Sequence, residues 1–324
     1  MLDDPPSTAL GPKGFRFGRY RGPIDTPDFE LGLRWRGRLK EWHYTSVSAP
    51  RMFLAFGVVR LGYATNVFLY WVDHEREGDA FVIDAMSTGS RGVSFSESST
   101  RGETSWRKGG AELRITYEPR LMRIHADVVA RGERLRADLV VEAGDSLGLL
   151  HDLGKQRPAY THKAAGLRAR GSVRLGDEAI VVDGSAVLDW TRSVASRRTV
   201  WKWASFAGHS AGRHLGLNLS TDVYENAAGH GCENALWIDG KMSILGDVRI
   251  EMPADPGVGD WVIRSTHGDE VDLHFTPRGA RSKDADYKLV RSRFVQPYGV
   301  FNGRVGGVDV LDVFGVVEDH ESLW

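Results

Sequence analysis

Long apolar runs, paired cysteines, a charge imbalance and amphipathic helices are all missing from this 324-residue chain. No stretch approaches the ~18 consecutive apolar residues of a membrane helix, so no integral membrane segment is expected. The single cysteine, Cys232, excludes an intramolecular disulfide and accords with a reducing compartment. The formal net charge is −1, from 42 basic and 43 acidic residues. Such a balance gives no overall field to hold nucleic acid or an anionic membrane, and no nucleic-acid partner is expected. The opening MLDDPPSTALGPKG is acidic and proline-rich, with no apolar core of a signal peptide, so a cytoplasmic location is expected. No segment of about twelve residues or more carries a helical apolar stripe.

What the chain does carry is strand signal. It is 41% hydrophobic and 10% aromatic, enough to fill the core of one large or two ordinary domains. Met122, Ile124, Ala126 and Val128 alternate with Arg123, His125 and Asp127, and Leu135, Ala137, Leu139 and Val141 repeat the pattern after a turn at Gly132-Glu133. This is the period of half-buried antiparallel strands. Phe53 to Gly62 and Ala64 to Asp73 read as a tight apolar hairpin. Further strand patterns run from Val200 to Gly208, Arg213 to Thr221, Val271 to Pro277, Lys288 to Val295 and Val308 to Val317. Glycine, at 38 residues, falls mostly between these patterns. Many short strands at close spacing predict an all-β barrel or sandwich. Residues 1–30, with Pro5, Pro6, Pro12, Pro23 and Pro27, read as an extended arm. Residues 145–166 lack alternation and read as a crossing with room for a short helix, which places the domains at 31–166 and 167–324.

The most informative stretch runs from Asp189 to Leu245. It holds Trp190, Trp201 and Trp203, the lone cysteine and a polar set of Glu225, Asn226, Glu233 and Asn234. On a strand Trp201 and Trp203 share one face and Lys202 takes the other. An aromatic core layer and a ligand-facing wall both fit that pattern. TVWKWAS, Leu217-Asn218 and ENALWIDGK within this stretch resemble the bacterial domain-of-unknown-function family 2804. KEWHYTSV with LYWVDHERE resembles that family's N-terminal signature, and Gly315-Val316-Val317-Glu318-Asp319-His320, closing on Trp324, its C-terminal one. The family is in turn similar to the carotenoid 1,2-hydratase and AttH-type proteins. The resemblance implies two tandem lipocalin-like (calycin-type) antiparallel β-barrels holding a hydrophobic small molecule.

Three carboxylates stand out. Asp189 follows the apolar Ala186-Val187-Leu188 and precedes Trp190. A carboxyl desolvated against an indole keeps its proton and can act as a general acid; pairing of Asp189 with Arg192, Arg197 or Arg198 is the structural alternative. Glu233 and Glu225 are the candidate bases or water-holders. Trp190, Trp201, Trp203, Trp42 and Tyr70 are the candidate pocket walls, and Asn218 and Asn234 the candidate partners of a ligand hydroxyl or a water. In the related carotenoid hydratases the segment before Trp-x-Trp resembles Asp-His-x-Trp-Gly. Here it reads Asp189-Trp190-Thr191-Arg192-Ser193, so the aspartate alone matches and carotenoid hydration does not carry over.

Gly208-His209-Ser210-Ala211-Gly212 fits the G-x-S-x-G pattern, but the residues after it read as β where that motif needs a helix, which makes Ser210 a hairpin serine. His209, His214, His230 and Cys232 match no zinc-ligand spacing, and no metal or organic cofactor is expected. Two readings remain. One is an acid–base enzyme for hydration, dehydration, isomerisation or cyclisation of an apolar substrate. The other is a non-catalytic carrier of a lipid or isoprenoid.

Overall fold

The computed structural model describes residues 2–32, 35, 37–75, 80–226, 228–286 and 291–324, and every named element among them is a strand. The chain divides into two compact units, Met1–Val194 and Ala195–Trp324, each with its own hydrophobic core.

In the first unit the arm supplies β1 (Leu10–Gly11), β2 (Gly14–Phe15) and β3 (Gly18–Arg21). A meander follows: β4 (Leu39–Ala49), β5 (Met52–Arg60), β6 (Ala64–Asp73) and β7 (Phe81–Thr88). A second meander comprises β8 (Val93–Ser94), β9 (Gly102–Lys108), β10 (Ala111–Glu118), β11 (Leu121–Ala130) and β12 (Glu133–Glu142). Then come β13 (Leu147–Asp152), β14 (Pro158–Leu175) and β15 (Glu178–Val194). The hairpin of β14 and β15 joins the two meanders into the order β7-β6-β5-β4-β15-β14-β12-β11-β10-β9-β8, with β13 pairing both β14 and β3. The sheet curls until β7 comes against β11. The arm is tied down by β3, and Ala9, Tyr20, Ile24 and Phe29 enter the core.

The second unit contains β16 (Arg198–Ser210), β17 (Arg213–Thr221), β18 (Ala235–Ile238), β19 (Lys241–Ile244) and β20 (Val248–Glu251). It continues with β21 (Trp261–Ser265), β22 (Val271–Asp286), β23 (Arg291–Val305) and β24 (Val308–Leu323). The order is β19-β18-β17-β16-β24-β23-β22-β21-β20, and the curl brings β17 against β20. Of the strand expected from Lys288 to Val295, Lys288, Leu289 and Val290 lie outside the described residues, as do Arg76 and Glu77 of the N-terminal motif.

The alternating patterns at 121–142 behave as read: Ile124, Ala126 and Val128 fill the core while Arg123 and Asp127 face out. The division between units does not fall near residue 166. There β14 runs on through a bulge between Ala165 and Leu167, where Gly166 takes φ 69°, and the first unit ends only with β15. Residues 145–166 lack alternation because β13 and the first half of β14 are buried on both faces, and a strand with no solvent face has no reason to alternate. Pro158 opens β14, a position that needs no ladder donor.

Gly171 tests this packing. It sits at φ 145° on β14, and an added Cβ would lie 2.0 Å from the Asp138 carbonyl oxygen. Gly171→Ala should lower stability by roughly 1–3 kcal/mol through backbone strain, seen as a reduced denaturation midpoint; an unchanged midpoint would contradict the close approach of β12 and β14.

Candidate active site

Consecutive residues on a strand point to opposite faces, and this separates Asp189 from Trp190. Trp190 turns into the core of the first unit, fully buried, with Phe95 and Tyr160 at ring-centroid distances of 5.7 and 6.0 Å. Asp189 lies on the other face, so the indole does not desolvate it. Lys163 Nζ donates to its Oδ2 at 2.6 Å, and the Thr191 hydroxyl bridges its Oδ1 (3.1 Å) and Thr161 Oγ1 (2.8 Å). Both carboxylate oxygens are thus engaged within the sheet. Two of the arginines considered as partners are used elsewhere: Arg192 pairs with Glu41 and Arg198 with Glu321. Trp42 and Tyr70 share the face of Asp189. Tyr70 packs there with Phe53 and Phe68, and Tyr44 adds a fourth ring.

The core side of the same strands holds a neutral polar chain. The Tyr117 hydroxyl donates to Thr104 Oγ1 at 3.1 Å, and His43 meets that hydroxyl through Nδ1 and Thr45 through Nε2, each at 2.9 Å. With Tyr117 donating, His43 donates from Nδ1 and accepts at Nε2. Burial lowers His43 to about 3 and His162 to about 4, and it raises Tyr117 well above its ordinary value. The Trp190 indole N–H lies near Tyr117 without completing a hydrogen bond of good geometry.

In the second unit Trp201 and Trp203 point away from the core formed by Ala204 and Phe206. Trp203 Nε1 donates to Asn218 Oδ1 at 2.8 Å, and Asn218 Nδ2 donates to the Glu233 carbonyl at 2.8 Å. Asn234 brackets backbone at both ends, accepting from Ser220 N and donating to Gly246 O. Glu225 is exposed and accepts from Asp222 N inside its own loop. Glu233 is buried. Asp189 belongs to the first unit, and Glu225 and Glu233 to the second. Ser210 ends β16 at a hairpin whose turn residues Ala211 and Gly212 have positive φ; its hydroxyl donates to Asp309 O and accepts from Leu311 N, and β17 follows it.

The functional grouping that the sequence analysis passed over lies on β24. Glu318, His320 and Ser322 alternate with Asp319 and Glu321, so they share a face with Trp201 and Trp203 of β16. His320 Nδ1 meets Glu318 Oε1 at 3.0 Å, and its Nε2 meets Ser322 Oγ at 2.9 Å and Ser292 Oγ at 3.2 Å. Trp201 donates from Nε1 to Glu318 Oε1 at 3.0 Å and lays its ring 4.0 Å from that of His320. Gln296 donates to Glu318 Oε2, and Arg281 donates to Gln296 Oε1 at 3.5 Å. Burial pushes the Glu318 carboxyl up, but the hydrogen bond and charge of His320, the Gln296 amide and the Arg281 charge outweigh it, so the net displacement is below the usual value. The side chains of His320 and Glu318 keep 15% and 11% exposure. The signal was present in the sequence as a Glu-x-His-x-Ser period of two in the C-terminal signature.

The two buried histidines of the first unit contribute to its response to acid. An imidazole titrates near 6.5 in the unfolded chain, above the folded values of about 3 and 4. The stability each neutral ring contributes is whole above pH 6.5, declines below it, and is gone once the pH has fallen through the folded value. The melting temperature should drop as the pH is lowered from 6.5 toward 4, and His43→Gln should flatten that slope. Parallel profiles for wild type and variant would remove His43 as the cause.

Comparison with known proteins places this architecture. Among solved structures, kievitone hydratase from Nectria haematococca matches with a TM-score of 0.53 at 13% identity, covering 98% of this chain and 97% of its own. CghA, solved with Sch210972, matches at 0.53 and 11% identity, with 87% of each chain covered. An AttH-type protein from Nitrosomonas europaea gives 0.47 at 14% identity, with 91% and 96% covered. The fold is the two-domain, lipocalin-like barrel architecture. No curated protein matches the chain. The family model described as "Domain of unknown function (DUF2804)" matches residues 10–324, and the chain belongs to that family.

Proposed function

We propose that this protein binds a largely apolar small molecule and performs acid–base chemistry on it without an organic cofactor, by hydration, dehydration or isomerisation of a conjugated double bond. The observation that carries the reading is the Glu318–His320 pair set against Trp201. Histidine is the side chain best suited to give and take a proton near neutral pH. Glu318, held ionised, fixes the ring with Nδ1–H toward itself and leaves Nε2 as the basic edge between Ser292 and Ser322. In hydration, Nε2 takes a proton from water as the water oxygen bonds to the electrophilic carbon, and the proton is then returned to the adjacent carbon. The Trp201 face and the Glu318 charge stabilise the imidazolium between those steps. Ser322 completes a Glu–His–Ser order, but it has no exposed surface and cannot serve as a nucleophile toward a bulky substrate.

Two of the solved neighbours lend support. One is named a hydratase, and another was solved with a small molecule, Sch210972. In this reading Trp201 and Trp203 border the substrate, Asn218 holds Trp203 in place, and the buried Asp189–Lys163 pair keeps the first sheet in register.

The test begins with small molecules extracted from the purified protein and returned to it in oxygen-18 water or deuterium oxide. Mass spectrometry should show label entering the ligand with wild type. His320→Gln and Glu318→Gln should slow that incorporation by roughly 10²–10⁴-fold while ligand binding stays within a few fold. Asp189→Asn should lower the melting temperature and leave incorporation by the folded fraction unchanged. A ligand that all variants bind equally and none labels would make the protein a carrier.

A further inference from the structure

The core side of the first unit contains a buried row of charges. Glu41 on β4 stands opposite Arg192 on β15 and Arg60 on β5. Its Oε1 lies 3.0 Å from Arg192 Nε, and its Oε2 takes Arg60. Side-chain exposures are 2% for Glu41, 9% for Arg192 and 29% for Arg60. Among the described residues, no other carboxylate pairs with either arginine, so two guanidinium groups share one carboxylate, Arg192 buried and Arg60 partly open to solvent. An excess charge beside a buried ion pair favours a group of opposite sign that can offset it.

The next row of side chains, two residues along each strand or about 7 Å, is Trp190 with His162 beside it on β14. Trp190 Nε1 and His162 Nε2 are buried without a hydrogen-bond partner, although His162 Nδ1 meets Ser99 at 2.9 Å. The excess positive charge and the two unpartnered nitrogens are independent observations, and both lie on the core side of the same two strands. Phe29 of the arm takes Arg192 over its ring, and Phe95 takes Arg60. The segments bearing these rings are laced together by Asp25, which accepts from Arg101 at 2.7 Å through each oxygen and from Ser98 through its carbonyl.

We propose that this end of the first unit binds a small monocarboxylate with an apolar body, the carboxylate between Arg192 and Arg60 and the body against Phe95 and Trp190. The carboxylate supplies the missing negative charge, and its oxygens accept from the guanidinium N–H groups left over by Glu41 and by the Glu97 carbonyl, which takes Arg192 Nη1 at 3.4 Å. The aromatic rings favour a flat or slender body, and the arm-to-loop lacing covers it. The site belongs to the first unit, and Glu318 and His320 to the second, so it does not depend on their chemistry.

Benzoate and octanoate are the probes, with benzamide, octanamide and chloride as controls, titrated against the full chain by calorimetry and by thermal shift. Both carboxylates, or one of them, should bind and raise the melting temperature while the amides do not, and the better of the two distinguishes an aromatic from an alkyl acid. Arg192→Gln and Arg60→Gln should each weaken carboxylate binding at least about tenfold. If Arg192→Gln does not fold, the more exposed Arg60→Gln carries the same comparison, and the carboxylate–amide contrast on wild type stands without any variant. Equal binding of acid and amide, an equal shift with chloride, no binding of either acid, or undiminished binding in the folded variants overturns the proposal.

Discussion

Burial of strands on both faces is the constraint from which the rest of this structure follows. β4, the first half of β14 and the second half of β15 in the first unit, and the middle of β16 and β24 in the second, present one face to a hydrophobic core and a second face that is also largely shielded from water. A polar side chain on such a strand has no water to fall back on, so it must find its partner across the strand or two residues along it. That rule produces the Lys163–Asp189 pair, the Tyr117–His43–Thr45 chain and the Glu318 cluster.

The two buried carboxylates show how the same constraint separates structure from chemistry. Asp189 is closed: one oxygen holds an ammonium and the other a hydroxyl. Breaking either contact strands a charge in a dry setting, which ties the residue to holding β14 and β15 in register. Glu318 is engaged as fully, but one of its partners is an imidazole whose far nitrogen meets only hydroxyls. The functional difference between the two sites is the second titratable ring, and burial alone does not create it.

The all-β architecture was legible wherever a strand had one wet face, as at 121–142, because solvent imposes the period of two. It was least legible at 145–166, where shielding of both faces removes alternation, and in strands such as β14 and β15, whose length exceeds what local turn signals suggest. The family resemblance rested on motifs that proved to be central strands: Trp42 and His43 on β4, Trp201 and Trp203 on β16, Glu318 and His320 on β24. The reading of Asp189 against Trp190 failed for a local reason: neighbours in sequence are back to back on a strand. The same parity rule, applied to Glu318, His320 and Ser322, would have found the dyad from sequence.

Where a polar group sits along these strands also decides how well its geometry can be held. Glu225 lies in a loop, where its Oε1 accepts from Asp222 N, and Ser210 ends β16 at a hairpin, where its hydroxyl is tied to Asp309 O and Leu311 N of β24. Glu318 and His320 lie within β24, which is hydrogen-bonded to β16 on one side and β23 on the other. Their carboxylate and ring are therefore positioned by two ladders, by the stacked Trp201 and by Gln296. Acid–base chemistry needs its proton carrier held to within roughly half an ångström, and sheet interiors provide that more readily than loops do. Long strands with two shielded faces thus serve both ends: one face supplies the core that keeps each unit folded, and the other offers a rigid, poorly hydrated surface that suits the acid–base chemistry proposed for His320.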